Sequence, residues 1–147
     1  MDAAGELLAL AASKGMSCDE AASGIVVAKD AGAVAQQLLD AFPGVGMVAV
    51  TDGAQGSGLA LRGLNEIVHV PGFKGVQQID ATGAGDAYFG GLIAGLYHTC
   101  NATLPTNAEE LRAVGRMGSA AGAACCEVLG ALPIDHVSDE RVKFFLK

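Results

Sequence analysis

Residues 79–86 read Ile79-Asp80-Ala81-Thr82-Gly83-Ala84-Gly85-Asp86, and the nearly charge-free run AYFGGLIAGLY follows them at 87–97. The pattern predicts a strand ending at Asp80, a turn at Gly83 and Gly85, and a helix over 84–98. A helix start presents unpaired N–H groups and the positive end of the macrodipole, which together attract an anion such as phosphate. Glycines there let the backbone approach that anion with no Cβ in the way. Asp86 then falls in the first helical turn, where it either complements the dipole or acts as a proton acceptor beside the anion. The stretch is not a dinucleotide-binding fingerprint, because the third glycine position is Tyr88. It is not a Walker A loop, because no Gly-Lys-Ser or Gly-Lys-Thr follows.

The remaining composition fits a small-molecule site. The chain has 147 residues, 51% of them hydrophobic and 17% charged, which suits one globular domain. A net charge of −7 argues against nucleic acid or an anionic membrane as partner. No apolar run is long enough to span a bilayer, and the start MDAAGELLAL has no basic secretory leader, so a soluble, cytoplasmic protein is expected. Cys18, Cys100, Cys125 and Cys126 lack the spacing of a structural zinc site and read as small hydrophobes in a reducing compartment.

Along the chain, 3–14 and 30–42 have helical patterns, the second with Asp30 as cap and Val34, Leu38 and Phe42 on one face. GMVAVTDG reads as a buried parallel strand, and GSGLALRG, EIVHVPG and VQQID as short strands. A long helix is expected over 107–129, with Asn107 and Glu110 close to a capping box, and a last short one is capped by Ser138. Tyr88, Leu92 and Leu96 form a core stripe on the helix after the glycine turn. His98, near the end of that helix, and the pair Asp135-His136 carry no accompanying motif and read as structural. The order of elements favours a layered α/β domain, with fewer parallel strands than such a sheet needs. A single unit over 1–147 is expected, its sheet completed by other sequence or by another chain.

Asp80 to Gly91, DATGAGDAYFGG, resembles the C-terminal signature of the ribokinase-like (PfkB) carbohydrate kinase family: D-x-x-G-A-G-D, a small residue, an aromatic, then a glycine-rich helix. Upstream, VAVTDGAQGS is similar to the family's strand and T-x-G-x-x-G segment, and the likeness continues through VPGF into the alanine-rich late helix. It covers residues 6–147. The fold it implies is the three-layer α/β/α ribokinase-like one, here its C-terminal, ATP- and phosphate-binding part. The family's sugar-binding half would then precede this chain or sit on a second chain.

That resemblance also implies roles. Asp86 resembles the catalytic base, and Gly83, Ala84 and Gly85 resemble the anion hole for the transferring phosphoryl group. Thr51, Gly53 and Gly56 match the segment lining the ATP phosphates and ribose, and Ser119 stands where the family often has an asparagine near the adenine. Asp80 resembles the aspartate beside a monovalent cation, K⁺ for instance, with carbonyls around Cys126 and Gly130 near the same ion. Glu6 stands at the glutamate of a magnesium-linked N-x-x-E motif, although Ala3 replaces its asparagine; a solvated glutamate in a first helical turn explains it equally. The implied activity is ATP-dependent phosphorylation of a sugar or nucleoside hydroxyl with Mg²⁺. The alternative is a catalytically incompetent nucleotide-binding fragment acting through a partner.

Overall fold

The computed structural model describes residues 30–131 and 139–147. The expected helix over 3–14, Glu6, Ser138 and the Asp135-His136 pair lie outside the described residues. In chain order the elements are α1 (Ala31–Ala41), β1 (Met47–Thr51), β2 (Gly56–Leu61), β3 (Val68–Pro71), α2 (Ala84–Cys100), α3 (Ala108–Cys125) and α4 (Asp139–Leu146). A single 3₁₀ turn, Gly53–Gln55, joins β1 to β2.

The three strands form one sheet in the order β1-β2-β3, both pairs antiparallel, with Thr51 opposite Ser57 and Ser57 opposite Val70. This corrects the parallel reading of β1. Its apolar run reflects helices on both faces of the sheet, which hides side chains whatever the strand direction. Only Asp52–Gln55 separate β1 from β2, and a parallel connection needs a crossover of a dozen residues or more.

Alternation along the strands serves two cores. Val48, Val50 and Ala60 face α1, where they meet Ala35, Leu38 and Leu39. Leu59, Leu61, Val68 and Val70 face the other way, onto Tyr88, Leu92, Leu111 and Val114 of α2 and α3. β2 is therefore covered on both sides, and every residue in it is buried. The arrangement is a three-layer α/β/α piece with a small antiparallel sheet.

Helix ends follow their caps. Asp30 accepts the N–H groups of Gly32 and Ala33 and starts α1. At its other end the Arg62 guanidinium donates to the carbonyl of Leu39, in the last turn that the helix itself leaves unpaired, and to those of Phe42 and Val45 just beyond it. Asn107 starts α3 by accepting the Glu110 N–H at 2.9 Å. Glu110 reaches back one residue further than a capping box requires, to the Thr106 N–H at 2.7 Å. α3 ends at Cys125, short of the expected 129.

VQQID is not a strand. Its backbone instead docks on the end of α3: the Cys126 carbonyl accepts the N–H groups of Ile79 and Asp80 at 2.8 and 3.2 Å, and a Glu127 carboxylate oxygen accepts that of Gln77.

Candidate active site

Gly83 builds the turn into α2 with a φ of 80°, in the left-handed region that glycine enters without a Cβ clash. No side chain caps this helix. The Ala84 N–H turns back to the Ala81 carbonyl at 3.1 Å, while those of Gly85 and Asp86 have no carbonyl behind them in the helix. The dipole and these free donors make an anion-favouring point.

The turn between β1 and β2 is held by Asp52 N–H to the Gly56 carbonyl at 2.8 Å and Gln55 N–H to the Asp52 carbonyl at 2.9 Å. Between this turn and the start of α2 lies a cleft of about 240 Å³. Thr51, Gly53 and Gly56 line it from the sheet, Ala84, Gly85 and Tyr88 from α2, and Ser119 and Cys126 from the α3 side. The Ser119 hydroxyl oxygen is buried and has no hydrogen-bond partner among the described residues. A buried hydroxyl left so costs about 1–3 kcal/mol, which a polar ligand or a water would recover. A second cavity, of about 250 Å³ beside Asp30 and His69, shares only Gly56 with the sequence-predicted residues.

Asp80 stands outside the cleft lining, at the root of its loop. One carboxylate oxygen accepts the Thr82 N–H at 2.9 Å and the Thr82 hydroxyl at 2.7 Å; the other accepts the Gly130 N–H at 3.0 Å. The bonds from Thr82, then that from Gly130, hold the carboxyl below the usual carboxylate range. The Cys125 thiol donates to the Thr82 carbonyl at 3.6 Å and ties the same loop to the end of α3.

Asp86 is exposed and does not line the cleft. It shares a helix face with Phe89 and Ile93, both about half exposed. His98 is likewise exposed, with its ring against Tyr97. The structure thus gathers Thr51, Gly53, Gly56, Ala84, Gly85 and Ser119 around one cleft, sets Gly83 and Asp80 in the loop that shapes it, and leaves Asp86 beside it. Among the described residues no three His, Cys, Asp or Glu side chains converge as a metal site, and no helix is long and apolar enough to cross a membrane.

Sequence reading missed the contribution of 72–81, where Gly72, Phe73 and Gln78 line the cleft. It also placed Tyr88 in the core alone, whereas the ring is both core and cleft lining. The signal for Tyr88 was its hydroxyl, since a purely apolar place needs only phenylalanine.

The model of the pfkB family carbohydrate kinases matches residues 6–136. The chain belongs to that family. Among its pfkB relatives, it is 36% identical to maize fructokinase-2 over 92 residues, 63% of this chain and 26% of the relative. It is 35% identical to Escherichia coli fructokinase over 88 residues, 60% of this chain and 27% of that one. A Thermotoga maritima ribokinase structure matches with TM-score 0.59 and 34% identity, over 78% of this chain and 34% of that one. A Vibrio cholerae fructokinase, solved with fructose, ADP and a calcium ion, matches with TM-score 0.58 and 28% identity, over 76% and 35%. The chain therefore spans about a quarter of the length of these curated pfkB relatives and about a third of these structures.

Proposed function

We propose that this chain forms the nucleotide- and phosphate-binding part of an ATP-dependent kinase that phosphorylates a hydroxyl of a sugar or nucleoside. The observation that carries the reading is the cleft itself, where the Thr51–Gly56 turn, the uncapped start of α2 and the orphaned Ser119 hydroxyl meet. The α2 start offers donors to the phosphoryl group, the T-x-G-x-x-G turn lets phosphate approach bare backbone, and Ser119 offers a polar contact deeper in. Fructokinase and ribokinase relatives favour a sugar as acceptor.

In this reading Asp86 takes the proton of the acceptor hydroxyl, and the backbone of Gly83, Ala84 and Gly85 stabilises the charge on the transferring group. Mg²⁺ fits as an ion carried by the nucleotide's phosphates and water, since the described residues form no cage for it. When bound, it neutralises phosphate charge. Asp80, with carbonyls near Cys126 and Gly130, is the proposed seat of K⁺; its carboxylate stays ionised there, held by the three hydrogen bonds already described.

A second reading, nucleotide binding without transfer by this chain alone, is favoured by the exposure of Asp86 outside the cleft. One experiment separates the two. ATP consumption by the chain is measured over a panel of sugars and nucleosides with K⁺ and Mg²⁺, beside Asp86→Asn. Acceptor-dependent turnover that the substitution abolishes supports the kinase. ATP binding with no turnover on any acceptor supports the second reading, and no binding at all defeats both.

A further inference from the structure

We propose that the hydrogen bond between Tyr88 and Ser57 is a positioning contact that sets the spacing between the two phosphate-facing sides of the cleft. The inference rests on the nucleotide-binding reading above and deepens it. Tyr88 lies two residues beyond Asp86 in α2, and its hydroxyl donates to the Ser57 hydroxyl oxygen at 3.0 Å. Both partners are buried, Tyr88 8% and Ser57 5% exposed.

The placement of this bond gives it its consequence. Ser57 sits in the central strand directly opposite Thr51, so the contact fastens the first turns of α2 to the sheet at the level of the β1–β2 turn. Among the described residues no other side-chain hydrogen bond links α2 to the sheet. The remaining attachments are apolar packing, which resists separation but tolerates sliding, whereas a hydrogen bond fixes distance and direction. The ring is seated by α3: a Cβ at Gly118 would come within 3.0 Å of both the ring and the Tyr88 carbonyl oxygen. Phenylalanine would fill this seat and leave Ser57 without its donor. The hydroxyl pair thus holds the donors at Gly85 and Asp86 in register with Thr51 and Gly53, on which a bound triphosphate would lie.

The test is titration of the full chain with a fluorescent ATP analogue and, separately, a fluorescent adenosine analogue. Wild type, Tyr88→Phe, Ser57→Ala and the double variant are compared below their measured melting temperatures. Positioning predicts that each single variant weakens the triphosphate analogue roughly three- to tenfold, the value of one neutral hydrogen bond. The double variant is then no weaker than either single one, and the adenosine analogue changes little. If wild type binds the triphosphate and the variants match it, or if both analogues weaken equally, the positioning role is overturned while nucleotide binding stands. If wild type binds neither analogue, the functional reading fails and this inference falls with it.

Discussion

Asp80 and Gly130 are joined across fifty residues of chain, the carboxylate accepting the glycine N–H at 3.0 Å. With the two bonds from Thr82 and the two N–H groups held by Cys126, this contact closes the loop before α2 onto the end of α3. The anion-favouring turn is therefore anchored from outside its own sequence.

That anchoring makes a pH prediction. The bonds from Thr82 and Gly130 depress the Asp80 pKa below its ordinary value of 3.8 in the fold. A depressed carboxylate stabilises the folded state fully above its ordinary value and loses that contribution as pH falls through the lower, folded one. Asp80→Asn is expected to lower the melting temperature near neutrality. Between about pH 6 and about pH 3 its melting temperature should fall less steeply than that of wild type. Parallel slopes for the two proteins would remove Asp80 from the acid response.

Two neighbouring glycines of α2 should respond to alanine with opposite signs. A Cβ at Gly91 would meet Ala121 and the Met117 carbonyl of α3 at 2.7 Å, whereas one at Gly90 meets nothing within 4 Å. Gly91→Ala therefore forces the helix pair apart, at about 1–3 kcal/mol. Gly90→Ala relieves the glycine penalty of an exposed helix position and stabilises by about 0.5–1 kcal/mol. Denaturant midpoints at unchanged m-value give both numbers.

Much of this was legible in the chain, because local chemistry decides it. The capping oxygens of Asp30 and Asn107 mark helix starts that the structure shares. The glycines of GAGD mark the turn into α2, and the T-x-G-x-x-G segment marks a tight turn after a strand. What the sequence hid was pairing. The short, turn-bounded VQQID suggested a strand, but the backbone there bonds to Cys126 and the Glu127 side chain, partners that no local pattern reveals. The antiparallel course of β1 and β2 could have been read from the four-residue connection, had chain geometry been weighed above the apolar run. The exposed position of Asp86, outside the cleft, depends on how α2 turns against α3. Motif spacing carries no information on that rotation.

The two helix caps should differ in strength. Asp30 accepts its N–H groups at 3.4 and 3.2 Å from a solvent-exposed position. Asn107 accepts the Glu110 N–H at 2.9 Å and helps to order the Glu110 carboxylate against Thr106. Asn107→Ala is expected to cost about 1–2 kcal/mol and Asp30→Ala about 0.5–1 kcal/mol. Equilibrium unfolding of the two variants side by side checks the order, and an Asp30 loss larger than the Asn107 loss would contradict the bond lengths.

Gly56 carries the most severe prediction, because two independent constraints meet there. Its φ is 109°, a conformation that an L side chain adopts only under strain. An added Cβ would also lie 2.0 Å from the Val70 carbonyl oxygen and 2.5 Å from the Gly72 nitrogen, backbone atoms that no rotamer change can move aside. Gly56→Ala must therefore either open the β2–β3 pairing at its Gly56–Pro71 end or swing the β1–β2 turn out of the cleft. Backbone strain of this kind costs about 1–3 kcal/mol before the clash is counted. The variant is expected to melt well below wild type and, where still folded, to lose binding of an ATP analogue. Gly53→Ala provides the control: its φ of 50° carries only the smaller left-handed strain, and its Cβ meets nothing within 4 Å. It should cost about 1–2 kcal/mol and keep the turn. Equal losses in the two variants would mean that the backbone crossing at Gly56 does not hold this side of the cleft in place.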